Sequence, residues 1–367
     1  MRDESAATMP APPDAGQPSP RGALPLQAYR PGPAARPGRR NAYAALDLGT
    51  NNCRLLVAEP ASHGFRVIDA FSRIVRLGEG LGTADRLGEA AIARTIEALR
   101  ICRAKMEARG VVRAKIIATE ACRLAVNGAE FVERVQREVG LDLEIVDRQT
   151  EAYLAVTGCA ALADPYAESV VIFDIGGGST EIAWLDGAAT NPSADPTQRI
   201  RAWDSLPVGV VTLAERHGGC EVTRLMFEGM VEEVAELLAR FAIRAAPAAN
   251  ARHFHLLGTS GTVTTLAAMH LRLPRYERRR VDGLWMSDGD VSDAIDDLLD
   301  TRLDQRADNP CIGRDRADLV LAGCAILEAI RRAFPSERLR IADRGLREGL
   351  LMNMMREDGV WRRGGYR

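Results

Sequence analysis

Asp47-Leu48-Gly49-Thr50-Asn51-Asn52 and Asp174-Ile175-Gly176-Gly177-Gly178-Ser179-Thr180-Glu181 are the two stretches whose reading decides the fold. Each follows a short β-rich run, Ala44 to Leu46 in the first case and Val170 to Phe173 in the second. In both, a strand delivers an Asp, glycines permit a tight backbone turn, and hydroxyl side chains lead into a second strand. Glycines let successive backbone N–H groups approach phosphate oxygens, and an Asp beside them can hold a divalent cation directly or through water. One such loop is weak evidence. Two of them, a domain's length apart, match a duplicated unit in which a phosphate is held between two lobes.

Working outward from the first loop, the rhythm is strand (Arg54 to Glu59), strand (Phe65 to Arg76) and an amphipathic helix from about Leu87 to Arg109, with Ile92, Ile96, Leu99 and Met106 on one side. A strand at Lys115 to Ala118, a helix at Ala129 to Val139, a strand at Leu143 to Val146 and a helix at Thr150 to Leu162 follow. The order restarts at Ser169 with strand, glycine loop and strand (Glu181 to Leu185), then a strand at Arg201 to Leu206, helices, and a strand at His253 to Leu257. Hairpin strands followed by alternating strand and helix predict a mixed sheet with helices on its faces, built twice. The junction is Ala163-Asp164-Pro165-Tyr166, because Pro165 cannot continue the preceding helix. The expected organisation is a tail over 1–40, a first lobe over 41–165, a second over 166–358 and a flexible end over 359–367. Nine of the 18 prolines fall in the tail, which lacks apolar periodicity and is expected to be disordered. Its arginines (Arg30, Arg36, Arg39, Arg40) read as a solvated tail in preference to an anion-binding arm. Asn191 to Thr197 reads as a polar hairpin tip.

Composition sets the frame. The chain has 367 residues, 46% of them hydrophobic, enough for two packed cores. The formal charge of -2 gives no global field for nucleic acid or an anionic membrane, so any anion must be caught locally. Seven scattered cysteines form no C-x-x-C pair, which suits buried thiols in a reducing compartment. No apolar run is long enough to span a bilayer and no signal sequence opens the chain, so a cytoplasmic location is expected.

Three further segments can carry chemistry. Gly258-Thr259-Ser260-Gly261-Thr262 follows a strand and opens a helix through Met269, so its N–H groups suit either an anion or a plain capped turn. Arg123, in Thr119-Glu120-Ala121-Cys122-Arg123, ends a strand where open sheets present ligands; it can clamp phosphate or pair with a carboxylate. Glu151, after Asp147-Arg148-Gln149-Thr150, stands in a first helical turn, where it either complements the helix dipole or serves as a general base for water. No histidine sits in a nucleophile-elbow context, and His253 with His255 lacks a third ligand for zinc. Arg278-Arg279-Arg280, near Tyr276, reads as a solvated face or as an outer contact for a polyanion.

The ordered set of motifs resembles the exopolyphosphatase and guanosine pentaphosphate phosphohydrolase (Ppx/GppA) family from about Tyr43 to Met352. The segments are Leu46 to Asn51 with Arg54 to Val57, Val75 to Leu81, Ala118-Thr119 with Arg123, Glu151-Ala152, Asp174 to Glu181, Gly258 to Thr262, and Gly345-Leu346-Arg347-Glu348-Gly349. The resemblance implies an α/β fold of two ribonuclease-H-like lobes, as in the actin, sugar kinase and heat-shock ATPase superfamily, with a cleft between them. It implies phosphate contacts at Gly49, Thr50, Asn51, Arg123, Gly176, Gly177, Gly178, Ser179, Gly258, Ser260 and Gly261. It also implies Mg²⁺ (or Mn²⁺) at Asp47, Asp174 and Glu181, and a general base at Glu151. The implied reaction is metal-assisted release of orthophosphate from a phosphoanhydride chain end, in polyphosphate or guanosine pentaphosphate. Two features depart from the family. Where Ser-Gly-x-Glu-Glu-Ala is usual, this chain has Asp147-Arg148-Gln149-Thr150-Glu151-Ala152, and the long helical C-terminal extension that grips long polyphosphate is not matched. A short-form member, with homodimerisation left open, is the expectation. A polyphosphate-dependent phosphotransferase and a nucleotide or polyphosphate sensor with decayed hydrolysis are the alternatives.

Overall fold

The computed structural model describes residues 41–62, 64–187 and 195–361. The expected tail over 1–40, most of the hairpin tip and the end of the 359–367 segment lie outside the described residues. The first sheet contains β1 (Ala42–Leu48), β2 (Asn52–Pro60), β3 (Phe65–Ile74), β4 (Val111–Ala118) and β5 (Glu144–Ile145), in the order β3-β2-β1-β4-β5. The second contains β6 (Ser169–Ile175), β7 (Thr180–Asp186), β8 (Ile200–Leu206), β9 (Phe254–Thr259), β10 (Trp285–Ser287) and β11 (Arg338–Ala342), in the order β10-β11-β9-β6-β7-β8. Read from its β8 edge, the second sheet repeats the first and adds β10. β1–β2 and β6–β7 are antiparallel hairpins, while β1–β4 and β6–β9 pair in parallel. This is the duplicated two-lobe α/β plan expected from the two Asp loops.

Local chemistry explains where element ends differ from the sequence reading. The helix expected from Thr150 begins at Arg148, because the Asp147 side chain caps it by accepting from Thr150 N at 2.7 Å. It stops at Cys159, and Ala160–Leu162 continue as a 3₁₀ turn. β3 stops at Ile74 because Arg76 takes a left-handed backbone, φ 47°. β4 starts at Val111, earlier than expected, to run beside β1 over its whole length.

β1 is buried on both faces. Ala42, Ala44, Leu46 and Leu48 pack with Ile92, Ile96 and Leu99 of the helix Glu89–Arg109. Tyr43 and Ala45 on the other face pack against Leu346, Leu350, Leu351, Met354 and Met355. These belong to the helix Leu346–Glu357, which the sequence assigns to the second lobe. It instead covers the first sheet, because Tyr43, Ala45, Leu56 and Ala58 would otherwise leave an apolar face in water. The same helix lies backbone to backbone with Arg148–Cys159: a Cβ on Gly158 would stand 2.0 Å from Gly345 O, and one on Gly349 would stand 2.2 Å from Leu154 O. Among the described residues no helix is long and apolar enough to cross a membrane.

Candidate active site

The two Asp loops meet. In each, the first glycine closes the turn on the residue three further on, Gly49 N to Asn52 O at 2.9 Å and Gly176 N to Ser179 O at 3.0 Å. None of Gly49, Gly176, Gly177 and Gly178 has a positive φ, so the turn itself does not demand glycine. Close approach does. A Cβ on Gly178 would stand 2.7 Å from Thr50 Oγ1, one on Gly177 would stand 3.1 Å from Asn51 N, and one on Gly209 would strike the Gly177 carbonyl carbon at 2.4 Å. The loops thus touch across the lobes and wall a cavity of about 110 Å³. It is lined by Asp47, Gly49, Thr50, Asn51, Arg54, Glu151, Asp174, Gly176 to Ser179, Glu181, Ser260, Gly261, Thr262 and Arg316, among others.

Strand register places the charges. Asp47 of β1 faces Arg54 of β2, and Asp174 of β6 faces Glu181 of β7, at equivalent positions of the two hairpins. Burial pushes the Asp47 carboxyl up to about 6, with the Asp174 charge adding to the rise and Arg54 and Arg347 opposing it. Glu181 is pushed up to about 7 by burial and by Asp174, against hydrogen bonds from Ser179 and Ser205. Asp174 is raised by burial and eased by the Ser260 hydroxyl. Glu151 is raised well above the ordinary range by burial and Glu181, with Arg123 opposing. Burial and Arg347 lower the Arg54 guanidinium, and burial and Arg54 lower that of Arg316. Pocket carboxylates and arginines that are each desolvated in this way are poised for a charged ligand that compensates both.

The third glycine-hydroxyl cluster contributes one end of a helix. Ser260 sits at φ 77°, a strained conformation for a residue with a Cβ, and opens Gly261–His270 without a side-chain cap. The unpaired N–H groups of that first turn border the cavity at Gly261 and Thr262. Asn51 also leaves its buried Oδ1 without a hydrogen-bond partner among the described residues.

Two expected phosphate contacts lie elsewhere. Gly258 is inside β9 and does not line the cavity; a Cβ there would stand 2.6 Å from the Phe173 ring and 2.8 Å from Val263, so its role is packing between sheet and helix. Arg123 also does not line the cavity. Its guanidinium donates to Glu120 Oε2 through Nε (2.9 Å) and Nη2 (2.6 Å), to Val146 O through Nη1 (2.7 Å), and to Glu151 Oε2 through Nη2 (2.7 Å). It holds the carboxylate expected to be the base. His255 is a buried core residue accepting from Asp164 N at 3.1 Å, while His253 is exposed outside β9. Arg278 turns inward to Glu348 at 2.8 Å, leaving Arg279 and Arg280 exposed.

Sequence reasoning missed Arg54 and Arg316 as site residues. Arg54 had a signal: it occupies in the first hairpin the place of Glu181 in the second. Arg316 had none, being held to the cavity wall by Ile312 O and Cys311 O at 3.0 Å each, a turn unconnected to either loop in sequence.

Among the described residues no three Asp, Glu, His or Cys side chains stand close enough to cage a metal by themselves. Asp47, Asp174 and Glu181 border one cavity, and the Asp174 charge raises the carboxyls of the other two, without the three forming a cage. That donor set fits Mg²⁺, which keeps several waters and takes one or two carboxylates together with substrate phosphate oxygens.

Two lobes of one plan, closing glycine loops, acids and a helix N-terminus on a single cleft, define a two-lobed protein that handles phosphate. The family model described as the Ppx/GppA phosphatase family matches residues 56–358, and the chain belongs to that family. The Ppx/GppA enzyme of Aquifex aeolicus is 30% identical, with a TM-score of 0.68, covering 86% of this chain and 100% of that one. A crystallised exopolyphosphatase-like protein is 26% identical at a TM-score of 0.75, over 86% of this chain and 99% of that one. An exopolyphosphatase from Cytophaga hutchinsonii shares the fold at 24% identity and a TM-score of 0.76, over 86% of this chain and 98% of that one. The chain is therefore a phosphohydrolase of this family.

Proposed function

We propose that the protein is a cytoplasmic, Mg²⁺-dependent phosphoanhydride hydrolase that releases orthophosphate from the end of inorganic polyphosphate, from guanosine pentaphosphate, or from both. The observation that carries this is Glu151, a buried carboxylate on the wall of a cleft whose other walls include the two Asp-glycine loops. The names of the Aquifex aeolicus enzyme and the exopolyphosphatase-like protein support the substrate class.

In this reading a terminal phosphate lies against the N–H groups of Gly49 to Asn51, Gly176 to Ser179 and Gly261, with Arg54 and Arg316 taking its charge. Asp47 and Asp174 would hold Mg²⁺, with Glu181 organising its water; bound there, the ion neutralises charge that develops on the phosphoryl and leaving oxygens. Glu151 accepts a proton from the water as its oxygen bonds to phosphorus, while the bridging P–O bond breaks and its electron pair leaves with the shortened chain. Arg123 orients Glu151 for this, and Ser205 orients Glu181 by donating to Oε1 at 2.9 Å.

Phosphate release from polyphosphates of defined length and from guanosine pentaphosphate, assayed in parallel with Mg²⁺ and with EDTA, tests the proposal. Turnover of at least one substrate that EDTA stops and Mg²⁺ restores is expected. Tight binding of both without turnover would replace it with a sensor.

A further inference from the structure

Arg148, where the related pattern has glycine, is not a loose surface arginine. It donates to Glu120 through Nη2 (2.7 Å to Oε1) and Nε (3.3 Å to Oε2). The Glu120 side chain is 2% exposed, and the same carboxylate takes Nε and Nη2 of Arg123. Glu120 and Arg123 stand three residues apart on the short helix Glu120–Leu124, and Arg148 and Glu151 stand three apart on the helix Arg148–Cys159. The two first turns therefore interlock as a row of alternating sign: Arg148, Glu120, Arg123, Glu151.

The row constrains its inner end. A carboxylate buried as deeply as Glu120 must be paired on both oxygens. Arg148 and Arg123 share that task, which leaves the second Nη2 hydrogen of Arg123 for Glu151 Oε2. Glu151 Oε1 accepts from no described protein group and is left for the water. Without Arg148, Glu120 has only Arg123 to satisfy it and draws the guanidinium off Glu151.

We propose that Arg148 and Glu120 are positioning residues for hydrolysis, an ionic brace with a buried carboxylate at its centre that holds Arg123 in place and through it aims Glu151. The proposal rests on the reading of Glu151 as the base. In it the arginine that replaces glycine contributes to turnover and makes no contact with substrate.

The experiment is steady-state phosphate release, with Mg²⁺, by wild type, Arg148→Gly, Arg148→Lys, Glu120→Gln, the Arg148→Gly/Glu120→Gln double variant and Glu151→Gln, with melting temperatures. Arg148→Gly should lower kcat about tenfold with KM within about twofold, and Arg148→Lys should recover part of the loss. In the double variant the two losses should not multiply, because both act on one guanidinium. A raised KM at unchanged kcat would make Arg148 a substrate contact and overturn the brace, as would multiplying losses or a lower melting temperature with kcat unchanged. Full activity in Glu151→Gln would sink the base assignment instead, whatever Arg148→Gly does. A crystal structure of Arg148→Gly or Arg148→Lys gives a readout without turnover. Arg123 should move off Glu151 in the glycine variant, and an unchanged contact would contradict the proposal.

Discussion

At the scale of single residues, the site is a cluster of acids whose burial holds their carboxyls above the ordinary range, at a cost to stability. Asp47 and Glu181 are raised to about 6 and about 7 from ordinary values of 3.8 and 4.5. A raised folded-state value means that their contribution to stability is complete below those ordinary values and is lost as pH rises through about 6 to about 7. The melting temperature of chelator-treated protein should therefore fall between about pH 4 and about pH 7, and Glu181→Gln should flatten that fall while raising the value at the alkaline end. A steeper fall in the variant would contradict the assigned environment. Much of this was legible in sequence, since an Asp before a glycine loop and a Glu after it can be read without a structure. What Arg123 does was not legible, because Glu151, 28 residues away, reaches it only through the pairing of β4 with β5.

At the scale of elements, the helix bearing Glu151 is set by glycines outside the site. Gly158 and Gly349 allow Arg148–Cys159 and Leu346–Glu357 to touch backbone to backbone. Gly349→Ala has no flexible neighbour to displace, since its methyl would meet Leu154 O and C. It should cost about 1–3 kcal/mol in denaturant unfolding and lower kcat more than it raises KM, by shifting the Glu151 helix. Unchanged stability would show that the helices separate without cost. The strands β1 to β9 and the long helices of the first lobe were legible from apolar periodicity, whereas β10, β11 and most helices of the second lobe were not placed. The position of Leu346–Glu357 was not, because an apolar helix face fits either sheet and only the bare outer face of β1 selects the first.

At the scale of the molecule, the cleft is a joint between lobes, and a short segment fastens it. Val75 N and Arg76 N both donate to Asn51 O, and Gly78 N donates to Thr50 O, at 2.9–3.0 Å. The Arg76 side chain then crosses to the second lobe and grips Asp318 through both nitrogens at 3.0 Å, beside Gly80 N on Glu215 at 3.1 Å. Arg76→Ala should loosen the lobes, seen as a larger radius of gyration in solution scattering and a raised KM, and Asp318→Ala should match it. An unchanged radius of gyration and KM would leave closure to the loop contacts alone. The duplicated architecture was legible because both hairpins carry their own Asp loop; the fastening was not, since Arg76 and Asp318 are 242 residues apart. In the proposed function, water attacks a phosphorus held between the loops and Glu151 takes the proton. The most direct measurement is turnover of polyphosphate in ¹⁸O-labelled water with ADP or GDP present, for wild type and Glu151→Gln. One labelled oxygen per orthophosphate from wild type, with release slowed about 10²-fold or more in a folded Glu151→Gln, is the predicted result. Nucleoside triphosphate in place of labelled orthophosphate, or undiminished release by Glu151→Gln, would contradict it.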